Sequence, residues 1–149
     1  MSEVLTTEAL SLQLTQRYPH SREKVFRAWT DPRALGVWFH PAEGMQVANV
    51  EVDLRVGGNY RIDLTSPNGP HCAQGAYREI TPHSKLVFTW HSACWDNGAE
   101  SLVTIELHEI GTETELVLTH ERFLSVEARD AHQQGWTGVL ESLGRLGLE

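Results

Sequence analysis

Lysine is nearly absent from this chain: Lys24 and Lys85 are the only two among 12 basic residues. Set against 20 acidic residues they leave a formal net charge of −8, and no arginine cluster forms a basic patch. Both features argue against binding to nucleic acid or to an anionic membrane surface. Cysteine is as scarce. Cys72 and Cys94 are too few for a disulfide framework, and both are expected to stay reduced. No apolar run approaches the ~18 residues that cross a bilayer, so no membrane insertion is expected. The first residues, MSEVLTTEALSL, lack a basic segment followed by a long apolar core. A signal peptide is therefore not expected, and the cytoplasm is the expected location. Internal repeats and low-complexity tracts are also missing.

What remains is an ordinary globular composition, 40% apolar and 21% charged over 149 residues. It predicts one domain over residues 1–149, with residues 1–8 as a loose N-terminal arm. The longest helical pattern runs from Ser125 to Leu148. Trp136, Val139, Leu140, Leu143 and Leu146 fall on one stripe there, and Ser125 is placed to cap the first turn. Gly135 and Gly138 interrupt it, each at a cost of about 1 kcal/mol relative to alanine. Gly144 and Gly147 read as fraying near the end.

Upstream, strand and turn patterns dominate. Ala9 to Tyr18 alternates around Leu10, Leu12 and Leu14 and stops at Pro19. Ser21 caps a short helix holding Val25, Phe26 and Trp29, and Asp31-Pro32 starts a second that reaches about Trp38. Six strands follow. They are Val47–Val56 up to Gly57-Gly58, Asn59–Thr65, Cys72–Ile80, Leu86–Trp90, Leu102–Leu107 and Glu115–Glu121, with turns at Ser66–Gly69, Thr81–Ser84 and Gly111-Thr112. The predicted order is β-α-α-β6-α, an α+β fold in which a curved antiparallel sheet wraps a long C-terminal helix.

The stretches VFRAWTDPRALGVWF, DLRVGGNYR, the GAYREI strand with Pro82 and LVFTW, TELVLTHERF, and Gly135-Trp136 together resemble one family. It is the family named for the activator of Hsp90 ATPase, within the START/Bet v 1-like (SRPBCC) superfamily, and the resemblance covers nearly all of residues 12–148. It implies the helix-grip fold, a seven-stranded sheet around the last helix with a cavity between them. It also implies a small apolar ligand such as the lipids, sterols and polyketides that members of the superfamily bind. Trp38 and Phe39 fall where the cavity mouth lies in relatives.

Strand parity sends Tyr60, Ile62, Phe88, Trp90, Ile105, Leu118 and His120 to the inner face, opposite Trp136 and Leu140 of the helix. An aromatic wall with few polar groups is the usual small-molecule site, and the same rings also serve simply to fill a core. His120 is either a neutral base or a core histidine satisfied by a neighbour. Glu51, Asp53, Arg55 and Arg61 read as a solvated face, with ion pairs across the hairpin. Positions summing to about 165 should face each other across the Thr81–Ser84 turn, bringing His71 opposite Cys94 with His91 nearby. Alternation puts His71 and Cys72 on opposite faces, so no metal site is expected among these four.

The leading expectation is therefore a protein that binds a small hydrophobic or aromatic molecule, without a cofactor. One alternative is an enzyme on the same fold, cyclase- or hydrolase-like, with His120 as its base. Another is a protein-interaction or co-chaperone-like module, in one form a homodimer. An Hsp90-type chaperone is not the expected partner, because the chain lacks the separate N-terminal domain of the eukaryotic co-chaperone.

Overall fold

The computed structural model describes residues 10–40, 44–67, 69–91 and 100–147. The expected loose arm at residues 1–8, and Cys94, lie outside them. The elements run β1 (Leu12–Tyr18), α1 (Arg22–Thr30), α2 (Pro32–Trp38), β2 (Gln46–Val52), β3 (Asn59–Thr65), β4 (His71–Thr81), β5 (Lys85–Trp90), β6 (Ser101–Ile110), β7 (Glu113–Glu121) and α3 (Val126–Ser142). A π-helical turn, Leu143–Gly147, extends α3. The seven strands form one antiparallel sheet in the order β1-β7-β6-β5-β4-β3-β2. This is the helix-grip arrangement, and its order is the expected β-α-α-β6-α.

Consecutive strands β2 to β7 pair as hairpins, whereas β1 pairs with β7 at the opposite edge from β2. The α1–α2 pair carries the chain across that span. Asp31 makes the corner between the two helices. Its amide closes α1 on the Arg27 carbonyl, while its carboxylate caps α2 through the Arg33 amide at 2.9 Å. The Trp38 indole then ties α2 back to α1 through the Ala28 carbonyl at 2.9 Å.

Curvature comes from β4, whose first half pairs with β3 and whose second half pairs with β5. The register slips between Tyr77 and Glu79, a bulge that bends the strand. Gly75 permits the crossing, since a Cβ there would lie 2.0 Å from the Thr89 carbonyl oxygen. The Tyr60 hydroxyl donates to that same carbonyl. Alternation on β7 is regular, with Leu116, Leu118 and His120 buried.

Three expectations are corrected. β2 stops at Val52 rather than Val56. Gly57 has a positive φ of 88° and its amide bonds the Tyr77 carbonyl, so a turn replaces the strand and leaves Leu54 and Val56 exposed. The ion pairs expected across that hairpin form along each segment instead, Arg55 with Asp53 at 2.9 Å and Arg61 with Asp63 at 3.0 Å. Arg61 and Asp63, two apart on β3, share a face, and the turn that bonds the Arg55 amide to the Asp53 carbonyl brings the other pair together, so the shorter reach wins in both. Gly144 is not fraying: a Cβ there would meet the Tyr18 ring at 3.3 Å. The Tyr18 hydroxyl donates to the Leu140 carbonyl at 2.7 Å, anchoring the end of α3 to β1.

Candidate functional site

Two spaces lie between sheet and helix. The inner one, only about 20 Å³, is bounded by rings including Trp29, Phe39, Tyr60, Phe88, Trp90 and Trp136. The outer one is about 490 Å³ and is lined by Phe39, Met45, Leu64, His71, Cys72, Ala73 and Trp90 from the α2–β5 side. Ala131, His132, Gln134, Gly135, Trp136 and Val139 of α3 complete its wall. Phe39, Trp90 and Trp136 belong to both walls. Among the described residues neither wall carries an Asp, Glu, Lys or Arg.

Several residues singled out in the sequence meet here, and others do not. Tyr60, Ile62 and Phe88 line the inner space, and Phe39, Trp90 and Trp136 line both. Trp38, Leu118, His120 and Leu140 line neither; all are buried in the core. Ile105 is likewise a core residue, packed with Phe26, Trp29 and Leu86 around a crevice without internal volume. Sequence reasoning missed His132 and Val139, although with Trp136 they make an i, i+4, i+7 stripe. It also missed Leu64, although that residue shares parity with Tyr60 and Ile62, and it missed Ala73, whose small side chain gives no signal.

The aromatic rings form a continuous cluster. Trp90 and Trp136 lie 4.9 Å apart between centroids, Phe39 and Trp136 stand edge to face at 6.2 Å, and Tyr60 meets Phe88 edge to face at 5.3 Å. Two histidines orient the two central indoles. The Trp136 indole N–H donates to His120 Nδ1 at 2.9 Å. An indole nitrogen can only donate, so Nδ1 accepts and neutral His120 carries its proton on Nε2. That proton goes to Ser101 Oγ at 2.6 Å, whose hydroxyl donates to the Trp90 carbonyl at 3.2 Å. In the same manner the Trp90 indole donates to His132 Nε2 at 3.3 Å, and His132 Nδ1 donates to the Ala128 carbonyl at 2.7 Å.

Burial pushes the His120 pKa from 6.5 down to about 2, with neighbouring His132 adding to the effect. His132 is lowered too, by burial, against a raising contribution from its bond to the Ala128 carbonyl. His120 is therefore neutral in the folded protein and takes up a proton readily once unfolded. The unfolded state therefore binds more protons below its pKa of about 6.5, and stability falls as pH drops from there. His120 alone should contribute a slope approaching about 1.4 kcal/mol per pH unit. Urea titrations between pH 7 and pH 5 should show a smaller slope in His120→Gln; equal slopes in the two proteins would contradict this assignment.

The His71, Cys72, His91 and Cys94 set is only partly described. His71 Nε2 lies 3.1 Å from Ser66 Oγ, and His91 Nε2 lies 3.3 Å from Glu100 Oε2. Gln74 bridges His91, the pairing expected from positions summing to 165. No group of three or more His, Cys, Asp or Glu side chains suited to a metal occurs among the described residues. The expectation of a reduced Cys72 is corrected, because Cys72 is disulfide-bonded. The Gln74–His91 bridge, two residues away, brings the end of β5 against this part of β4. No helix among the described residues is long and apolar enough to cross a membrane.

Comparison with known proteins places this architecture. No curated protein sequence matches the chain significantly. Among solved structures, protein CV1439 of Chromobacterium violaceum is 26% identical, with a TM-score of 0.82 over 91% of this chain and 94% of that one. An AHSA1 protein of Silicibacter pomeroyi is 26% identical at a TM-score of 0.79, covering 91% and 95% of the two chains. CalU16 of Micromonospora echinospora is 27% identical at 0.70, covering 91% and 74%. Residues 19–147 match the profile described as activator of Hsp90 ATPase homolog 1-like protein. With that match spanning both short helices, six of the seven strands and α3, the chain belongs to the activator of Hsp90 ATPase homolog 1-like family.

Proposed function

We propose that this protein binds a small, uncharged, hydrophobic or aromatic molecule between the sheet and α3. The observation that carries the reading is the outer space of about 490 Å³, walled mainly by apolar and aromatic side chains, with His71, His132 and Gln134 as its polar members and no Asp, Glu, Lys or Arg among those described. A charged ligand entering it would lose its hydration without a counter-charge, which costs far more than apolar contact returns. The acidic surface, at −8 overall, further disfavours anions. A volume of this size is in the range of small-molecule sites, and the indoles of Trp90 and Trp136, tilted at 52° to one another, give it an aromatic wall for an apolar partner.

The catalytic alternative required His120 as a base in the cavity. His120 lines neither space, and both its ring nitrogens are engaged by Trp136 and Ser101. The interaction alternative required a large exposed apolar patch. The exposed large apolar residues among those described are Val37, Leu54, Val56, Ile110, Leu124 and Val126, none of which lines the outer space.

N-phenyl-1-naphthylamine, an uncharged fluorophore, should bind at one site and quench tryptophan emission. Ala131, exposed on α3 at the wall of the outer space, should tolerate tryptophan with a stability change within about 0.5 kcal/mol. Ala131→Trp should nonetheless weaken probe binding by an order of magnitude or more. Unchanged affinity in a folded Ala131→Trp protein would contradict the location.

A further inference from the structure

The inner space has one chemical feature that the aromatic cluster does not account for. Trp29 is 5% exposed, lines the inner space and carries a buried indole N–H with no hydrogen-bond partner among the described residues. The other indoles at this wall are committed, Trp90 to His132 and Trp136 to His120, and the Tyr60 hydroxyl donates to Thr89. A buried polar group without a partner is rare and calls for an explanation.

We propose that Trp29 Nε1 is the polar anchor of the ligand site, donating to a carbonyl-type oxygen that the ligand inserts into the inner space. The inference rests on the cavity reading above and names the ligand's class within it: a neutral molecule with a flat apolar body and a hydrogen-bond acceptor at one end. The two spaces share Phe39, Trp90 and Trp136 and so adjoin, which puts one end of a body held in the outer space next to the inner one. About 20 Å³ is room for a group the size of one oxygen and not for a second ring. A water would be a poor occupant, since ordered waters usually make about three hydrogen bonds. This wall offers it the Trp29 N–H and at most the lone pairs of the Tyr60 oxygen. A ligand carbonyl needs only the single donor.

The specificity that follows is against donors and charges. An alcohol or amine accepting from the Trp29 N–H would still have to place its own hydrogen, with only the Tyr60 oxygen to take it, while a ketone, ester or quinone oxygen carries no such hydrogen.

The test compares 2-acetylnaphthalene with its hydrocarbon isostere 2-isopropenylnaphthalene, each read by displacement of N-phenyl-1-naphthylamine. Trp29→Phe keeps a ring and removes the donor, so ketone affinity should fall about fivefold while hydrocarbon affinity holds. A second readout needs no variant: in indole-labelled wild type, the Trp29 N–H resonance should move downfield with the ketone and not with the hydrocarbon. If Trp29→Phe leaves both affinities unchanged, or lowers both alike, and the resonance does not respond to the ketone, the anchor is overturned while the cavity reading stands. If neither compound displaces the fluorophore from wild type, or the fluorophore itself does not bind, the cavity reading fails and the anchor with it.

Discussion

Alanine in place of Trp136 should lower the unfolding free energy by about 3–5 kcal/mol, the range for truncating a large buried aromatic. Trp136 is 3% exposed and packs against Trp90, Trp29 and Phe39 at once. Its loss would enlarge both spaces at once and leave His120 Nδ1 without its donor. The two costs can be separated. Trp136→Phe keeps most of the ring and loses the N–H, so its penalty should be about 1–3 kcal/mol, that of an unsatisfied buried acceptor. Urea titrations at pH 7 give both values. A loss under about 1 kcal/mol for the alanine variant would mean that this ring is not part of the packed core.

Gly75→Ala should be the other severe change, costing about 3 kcal/mol, at the upper end for overpacking. A methyl group there would sit 2.0 Å from the Thr89 carbonyl oxygen and 2.7 Å from its carbon, and backbone cannot swing away as a flexible side chain can. Relief would require separating β4 from β5 where the Ala76 amide bonds Thr89 Oγ1 at 2.8 Å. The Tyr60 hydroxyl bond to the same carbonyl would go with it. Gly36 is the control. A Cβ there meets nothing within 4 Å, so Gly36→Ala within α2 should be neutral or stabilising. Equal effects of the two substitutions in thermal melts would contradict the argument.

These two positions show why the fold was readable and the cavity less so. Strands buried on one face carry their own parity. Leu116, Leu118 and His120 fall at every second position and all three are buried, so the inner face of β7 was legible from parity even though Val117 between them is apolar. Asp31-Pro32 and Ser125 marked helix starts, and their caps form as that chemistry predicts. Gly75 looked like any strand glycine, because the carbonyl that excludes a side chain there comes from β5, fourteen residues on.

The cavity wall was harder for a related reason. A helical stripe is wider than the surface it turns to one partner. Leu140 shares the apolar face with Trp136, but its carbonyl is held by Tyr18 of β1 and it lines neither space. The outer wall is completed instead by His71, Ala73, His132 and Gln134. Polar or small residues are not marked as cavity-lining by any pattern of hydrophobicity. His120 was placed inward correctly, yet its neighbours Trp136 and Ser101 come from other elements and could not be read from the strand itself.

The central claim, that an uncharged apolar ligand sits between the sheet and α3, is tested most directly by amide chemical-shift mapping during titration with N-phenyl-1-naphthylamine. The account predicts saturable shifts at Met45, Leu64, Ala73, His132, Gly135 and Val139, together with the indole N–H signals of Trp90 and Trp136. Shifts confined to the exposed apolar residues Val37, Val56 and Leu124, with those around the outer space unmoved, would contradict it.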